Sequence, residues 1–222
     1  FYKTEEKLLE SFILFANKIP FYGCISININ DFKSKSILKY LNKPYVSYGF
    51  GPTNKDIDYE AANISFDKNS TKFDLYYKGK FEVTVETKLI GEHNISNTLA
   101  AISLAHLSGI GLKEIANGIK NFMGVGRRFE TIFSKGELKV IDDYGHHPSE
   151  IMATLKAARQ VSDGEKLIIV FEPHRYSRTK LCWEEFLHCF NLADKLYLCP
   201  LYEASETAID GVNSDRLSED IN

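Results

Sequence analysis

The chain has 222 residues, 44% of them hydrophobic and 26% charged, with a formal net charge of −3. This is an ordinary globular composition, long enough for one large or two modest domains, and it excludes a polycation built for nucleic acid. No apolar run approaches the ~18–20 residues of a membrane-spanning helix, and Cys24, Cys182, Cys189 and Cys199 form no CxxC pair. The cysteines therefore read as free thiols in a reducing compartment, which points to a cytoplasmic protein without nucleic-acid or membrane partners.

The chain opens on FYKTEEKLLESF. This stretch is amphipathic and acidic, unlike a signal peptide, and has no initiator Met, so a start inside a longer protein is expected. Leu8, Phe12 and Phe15 predict a helix over 5–18, which Pro20 stops. A strand at 22–29, a helix at 31–41 and a strand at 45–50 follow. From Asp58 to Lys88 the pattern turns to alternating β-branched and aromatic residues. Phe73–Tyr77 and Phe81–Val85 flank Gly79 as a hairpin. Ile95, Leu99, Ile102 and Ala105 form one stripe of a helix over 94–108. Gly109 and Gly111 break it, and a second helix runs from Leu112 to about Phe122.

Gly124-Val125-Gly126 is the expected domain boundary, giving domains 1–126 and 127–222. Beyond it, strands at 129–133 and 138–141 precede a helix at 148–160. A strand at 167–171 precedes a helix at 180–191, and a strand at 195–198 leads to a helix start near Ser214. Alternation of apolar strands with helices predicts an α/β fold with a mainly parallel sheet. With about three parallel strands and a final helix start, the second domain is expected to continue past Asn222.

In such sheets ligands bind beyond the carboxyl ends of the strands. Three loops should meet there, after Ile141, Phe171 and Leu198. The first carries Asp142, Asp143, Tyr144, His146 and His147; the second His174, Arg175, Tyr176, Ser177, Arg178 and Thr179; the third Tyr202, Glu203 and Glu206. His147 precedes Pro148, a favoured first helical residue, so the histidines stand at a helix N-terminus. A histidine there either caps the helix or faces an anion. Adjacent histidines seldom chelate one ion, and no HxxxH or HxH spacing occurs, so no metal ligand is assigned. Arg175 and Arg178, three apart, present two guanidinium forks suited to carboxylate or phosphate. Arg127 and Arg128 form a second pair beside the glycine boundary. In GEHNISN, Asn94 reads as an N-cap, and the amide of Asn97 offers the donor and acceptor that an adenine edge requires.

No G-x-x-x-x-G-K-[ST] phosphate loop, Rossmann fingerprint or G-x-S-x-G elbow is present. The residues alone leave open a metal-dependent hydrolase using Asp142, Asp143, His146 and His147, or a non-catalytic nucleotide-binding module.

GEHNISNTLAA, GVGRRFE, DDYGHHPSEI, EPHRYSRT and LYEASE, in this order, resemble the UDP-N-acetylmuramate–L-alanine ligases of the Mur ligase family over nearly the whole chain. The related recycling ligases, which attach a ready-made tripeptide, usually differ in both central loops. The resemblance implies three domains in such an enzyme. This chain would hold the later part of the central ATP-binding domain and most of a Rossmann-like C-terminal domain. It implies ATP and Mg²⁺ as cofactors and UDP-N-acetylmuramate and L-alanine as partners, joined through an acyl phosphate in peptidoglycan synthesis. By motif position, His93, Asn94 and Asn97 would contact adenine, Arg128 an ATP phosphate, and Asp143 the ribose or its own loop. Tyr144, His147, Arg175 and Arg178 would surround alanine and the acyl phosphate as catalytic residues. Glu172 departs from the pattern, standing where Gln is common, and adds negative charge beside the cationic loop.

Overall fold

The structure, a computed structural model, describes residues 2, 4–51 and 57–221. The outermost residues of the two expected domains, 1 and 222, lie outside the described residues. The described chain forms two compact units, one ending at Met123 and one resuming at Gly124.

In the first unit, α1 spans Glu5–Ala16 and is capped by the Thr4 hydroxyl, which accepts from the Lys7 amide. The expected strand at 22–29 narrows to β1 (Ile25–Asn28). The expected helix at 31–41 is also shorter. Asp31 caps α2 (Phe32–Ser36), and a 3₁₀ turn at Leu38–Tyr40 follows. Ser36 there hydrogen-bonds the Lys33 carbonyl, the local competition that makes serine a poor helix former.

β2 (Tyr45–Phe50), β3 (Tyr59–Asp67), β4 (Ser70–Tyr77) and β5 (Lys80–Thr87) complete a five-stranded sheet in the order β1-β2-β3-β4-β5. β1, β2 and β3 pair in parallel, whereas β4 and β5 form an antiparallel hairpin. Gly79 closes that hairpin at φ +76°, a left-handed conformation that glycine adopts without a Cβ clash. β3 is the strand that sequence patterning does not separate from the hairpin after it.

Two helices follow, α3 (Glu92–Leu107) and α4 (Leu112–Asn121). The apolar stripe of α3 is buried as its spacing requires. Ile95, Leu99 and Ile102 pack with Tyr59, Phe73, Leu75 and Val85 of the sheet and with Ile115 of α4. Asn94 is not the cap of α3. Gly91 takes that place, and the Asn94 carboxamide donates to the Ile90 carbonyl instead.

A part-buried hydroxyl pair joins α3 to β1. Ser103 donates to the Ala100 carbonyl at 2.8 Å, so its oxygen accepts from Ser26 at 2.6 Å. Ser103→Ala is expected to cost about 1 kcal/mol, the net value of one such bond. A shift of the urea midpoint at constant slope would measure it.

In the second unit, β6 (Glu130–Lys135) and β7 (Leu138–Asp142) form an antiparallel hairpin. Of the three strands expected to run parallel, β7 therefore departs. Only Gly136 and Glu137 connect it to β6, far too few residues for a parallel crossover. α5 (Pro148–Ser162) leads to β8 (Ile168–Phe171), and β9 (Lys195–Leu198) pairs with β8 in parallel. An isolated parallel bridge between His174 and Tyr202 prolongs this pairing into the loops.

The single helix expected at 180–191 is two. α6 (Tyr176–Leu181) begins inside the predicted loop, and α7 (Trp183–Cys189) follows a break at Cys182. α8 spans Ser214–Asp220. Ile151 and Leu155 of α5, Phe171 of β8, Phe186 of α7 and Leu217 of α8 make the core of this unit.

Candidate functional site

The second unit holds a cavity of about 610 Å³ at the carboxyl end of β8. Its wall draws on all three expected loops and on the residue after Gly126: Arg127, Asp142, Asp143, Tyr144 and His146; Glu172, His174, Arg175 and Arg178; and Tyr202.

Asp143 builds the first loop. Its carboxylate accepts from the Phe129 amide (2.8 Å), the Gly145 amide (2.8 Å) and the Thr154 hydroxyl (3.1 Å). Gly145 follows from this arrangement, because a Cβ there would lie 2.8 Å from Asp143 Oδ1. The Tyr144 amide donates to the Arg127 carbonyl at 2.7 Å. This loop is thus bonded to the segment that leads into β6 and to α5.

The Tyr144 ring lies under two guanidiniums, with Arg127 at 4.9 Å and Arg128 at 5.9 Å from its centroid. The edge of His146 meets the same ring at 5.4 Å between centroids. Arg127 reaches Asp142 at 3.2 Å through Nε, and Arg128 approaches Glu150 at 3.8 Å. Arg127 and Phe129 both have positive φ, +58° and +51°. Their amides are held by carboxylates, Arg127 N–H by Glu130 at 2.7 Å and Phe129 N–H by Asp143.

His147 caps α5. Its Nδ1 accepts from the Ser149 amide and lies 2.9 Å from the Ser149 hydroxyl, while Nε2 lies 3.6 Å from Cys182 Sγ. Glu150 completes the capping box by accepting from the amides of His146 and His147. Burial pushes the Glu150 carboxyl up. The two amide bonds, with the charges of His146 and Arg128, outweigh it and hold the group below its ordinary value. The cavity is lined by His146, whereas His147 is engaged in the cap.

Arg175 stands before α6 at φ +76° and Arg178 lies within it. Both line the cavity. Arg178 donates one bond, to the His174 carbonyl at 3.1 Å, and Arg175 comes no closer than 3.9 Å to Glu206. Glu206 is held chiefly by Ser177, through its hydroxyl (2.6 Å) and amide (2.9 Å). The guanidiniums keep most of their donors open. The His174 ring stacks on Tyr202 at 5.1 Å. Burial, then the charges of Arg178, Arg175 and His146, hold its pKa below the usual histidine value, and Glu172 pulls the other way.

His93, Asn94 and Asn97 belong to the first unit, in the opening turns of α3. Asn97 donates to Asn94 Oδ1 at 3.3 Å. It also lines a separate, largely apolar cavity of about 540 Å³ between β5, α3 and α4. His93 is partly buried and engaged in an interaction of its own.

The sequence places His146, His174 and Tyr202 in the three loops and Arg127 beside the glycine boundary, but the family resemblance gives none of them a substrate or cofactor contact; all four line the cavity. The signal available was position, since Arg127, His146 and His174 each adjoin a selected residue and Tyr202 lies in the loop after β9. Among the described residues no three His, Cys, Asp or Glu side chains converge as a metal site.

The described residues form two α/β units, one with a cavity lined by Arg127, Arg175 and Arg178 at the end of a parallel strand pair. Residues 1–105 match the Mur ligase middle domain and residues 127–222 the Mur ligase glutamate ligase domain, and the chain belongs to the Mur ligase family. Among curated relatives, it is 38% identical to a UDP-N-acetylmuramate–L-alanine ligase of Persephonella marina, over 100% of this chain and 46% of that protein. It is 40% identical to that of Endomicrobium trichonymphae, over 100% and 48%. The chain thus spans about half the length of the curated relatives it matches. Among solved structures, the UDP-N-acetylmuramate–alanine ligase MurC of Thermotoga maritima superposes with a TM-score of 0.71 at 25% identity, covering 90% of this chain and 42% of that one. MurF of Acinetobacter baumannii shares the fold, with a TM-score of 0.74 at 20% identity, covering 89% and 43%.

Proposed function

We propose that the whole protein joins L-alanine to the lactyl carboxylate of UDP-N-acetylmuramate at the expense of ATP, in the cytoplasm, as a step of peptidoglycan synthesis. The observation that carries this reading is the cavity where Arg127, Arg175, Arg178 and His146 meet. Its donors suit the anions of such a reaction: an amino-acid carboxylate, a phosphate and a developing oxyanion. The similarity to alanine-adding ligases along the full chain supports the choice of substrates.

In this reading, residues 1–126 are the later part of the central ATP-binding domain and 127–222 the C-terminal domain. The carboxylate is activated as an acyl phosphate, which the alanine amine attacks with loss of phosphate. Arg175 and Arg178 clamp the alanine carboxylate. Tyr144, whose ring lies under Arg127 and Arg128, keeps those guanidiniums in place for phosphate oxygens. His147 orders the loop as its cap. His93, Asn94 and Asn97 hold the adenine, and Asp143 fixes the loop that carries Tyr144. Mg²⁺ would accompany ATP. Among the described residues no three His, Cys, Asp or Glu side chains converge on one point.

Phosphate release by the whole protein tests the reading. Release is expected only when ATP, UDP-N-acetylmuramate and L-alanine are all present, and the 222-residue chain alone is expected to give none. Strong preference for a tripeptide over alanine would replace this assignment with the recycling ligase.

A further inference from the structure

The cavity is not uniformly cationic. Three carboxylates line it, and two are committed. Asp142 pairs with Arg127 at 3.2 Å, and Asp143 accepts two backbone amides and the Thr154 hydroxyl. Glu172, the first residue after β8, is the cavity carboxylate that makes no hydrogen bond or ion pair among the described residues. It is exposed, on the same loop as Arg175 and Arg178, whose guanidiniums are themselves mostly open.

These opposite charges line one cavity with His174. His174 feels Arg178 and Arg175 on one side of the balance and Glu172 on the other. The wall therefore offers an open cationic fork and an open anionic group in one cavity with His174. Val170 and Phe171 add apolar surface beside them. A purely anionic ligand gains nothing from Glu172 and is repelled by it. An α-amino acid, with carboxylate, ammonium and a small apolar side chain on one carbon, matches all three features. Charge-assisted hydrogen bonds of this kind are roughly twice as strong as neutral ones.

We propose that Glu172 receives the ammonium group of the amino-acid substrate while Arg175 and Arg178 take its carboxylate, making Glu172 a specificity determinant for a zwitterion. This rests on the ligase reading above and deepens it. The uncharged carboxamide of Gln at this position would accept a hydrogen bond from the ammonium without the ionic attraction.

Steady-state assays of the whole protein test the proposal, with L-alanine as substrate and L-lactate as a competitive inhibitor. Lactate keeps the carboxylate and the methyl group but has a hydroxyl in place of the ammonium. Glu172→Gln is expected to raise KM for alanine about tenfold, the scale of one charge-assisted hydrogen bond. KM for ATP should stay unchanged, and lactate should inhibit the variant at least as well as the parent. Glu172→Asp, which keeps the charge, should recover part of the alanine affinity. The side chain is exposed and makes no hydrogen bond or ion pair among the described residues, so neither change threatens folding, and circular dichroism checks this directly. An unchanged alanine KM in Glu172→Gln, or equal losses for alanine and lactate, overturns the proposal. Failure of the ligase reading looks different, because the unsubstituted protein would then release no phosphate with alanine.

Discussion

Arg175→Ala in the whole protein is expected to lower kcat/KM for alanine roughly a hundredfold, the scale on which removal of one preorganised charge donor acts. The loss should appear both as a raised KM for alanine and as reduced turnover, with KM for ATP little changed. The structural basis is the isolation of this side chain. Arg175 sits before α6 at φ +76°, and its guanidinium is only loosely associated with Glu206, at 3.9 Å. A cation held this openly at a cavity wall contributes little to stability, since exposed ion pairs of this kind count for little. Its removal should leave thermal unfolding nearly unchanged while activity falls. Kinetics identical to the parent would remove Arg175 from the site.

The second large effect is on structure as well as activity. Asp143→Ala should destabilise the second unit by about 2–4 kcal/mol, from the loss of several partly buried bonds to one carboxylate. The Phe129 and Gly145 amides and the Thr154 hydroxyl all lose their acceptor together. Phe129 is affected most, because it is held at positive φ and its amide bond to Asp143 compensates that strain. Denaturant unfolding gives the energy, and hydrogen exchange at the Phe129 and Gly145 amides gives the location. Unaltered protection at both amides would mean that the loop is held by other contacts. Asp143→Asn is a milder change, since its carboxamide oxygen can still accept but only as a neutral group.

Much of the fold was legible because local rules and tertiary packing agree. The α3 stripe of Ile95, Leu99 and Ile102 is buried, and the hairpin around Gly79 forms where alternation and a left-handed glycine predict it. β2 and β9 have the bounds that their apolar runs indicate. Errors fell where two structures share one pattern. The 180–191 segment has helical spacing throughout, yet breaks at Cys182. The strands after Gly126 look alike as apolar runs, although β6 and β7 make a hairpin and β8 and β9 a parallel pair. Pairing partners are distant in sequence, so periodicity does not specify them.

The candidate site divides in the same way. The sequence by itself determined the family resemblance and the loops that carry the charges, because DDYGHHP and EPHRYSRT are local strings whose residue types advertise their chemistry. It also placed the histidines at a helix start, from Pro148 alone. Only the tertiary structure decided which histidine caps α5 and which faces the cavity. It also decided that Asp143 anchors its loop and that Glu172 is the cavity carboxylate with no hydrogen bond or ion pair among the described residues. Residue type fixes what a side chain can bond to. Whether it is already bonded depends on neighbours that the fold brings from elsewhere in the chain: Phe129 and Thr154 for Asp143, and Arg127 for Asp142.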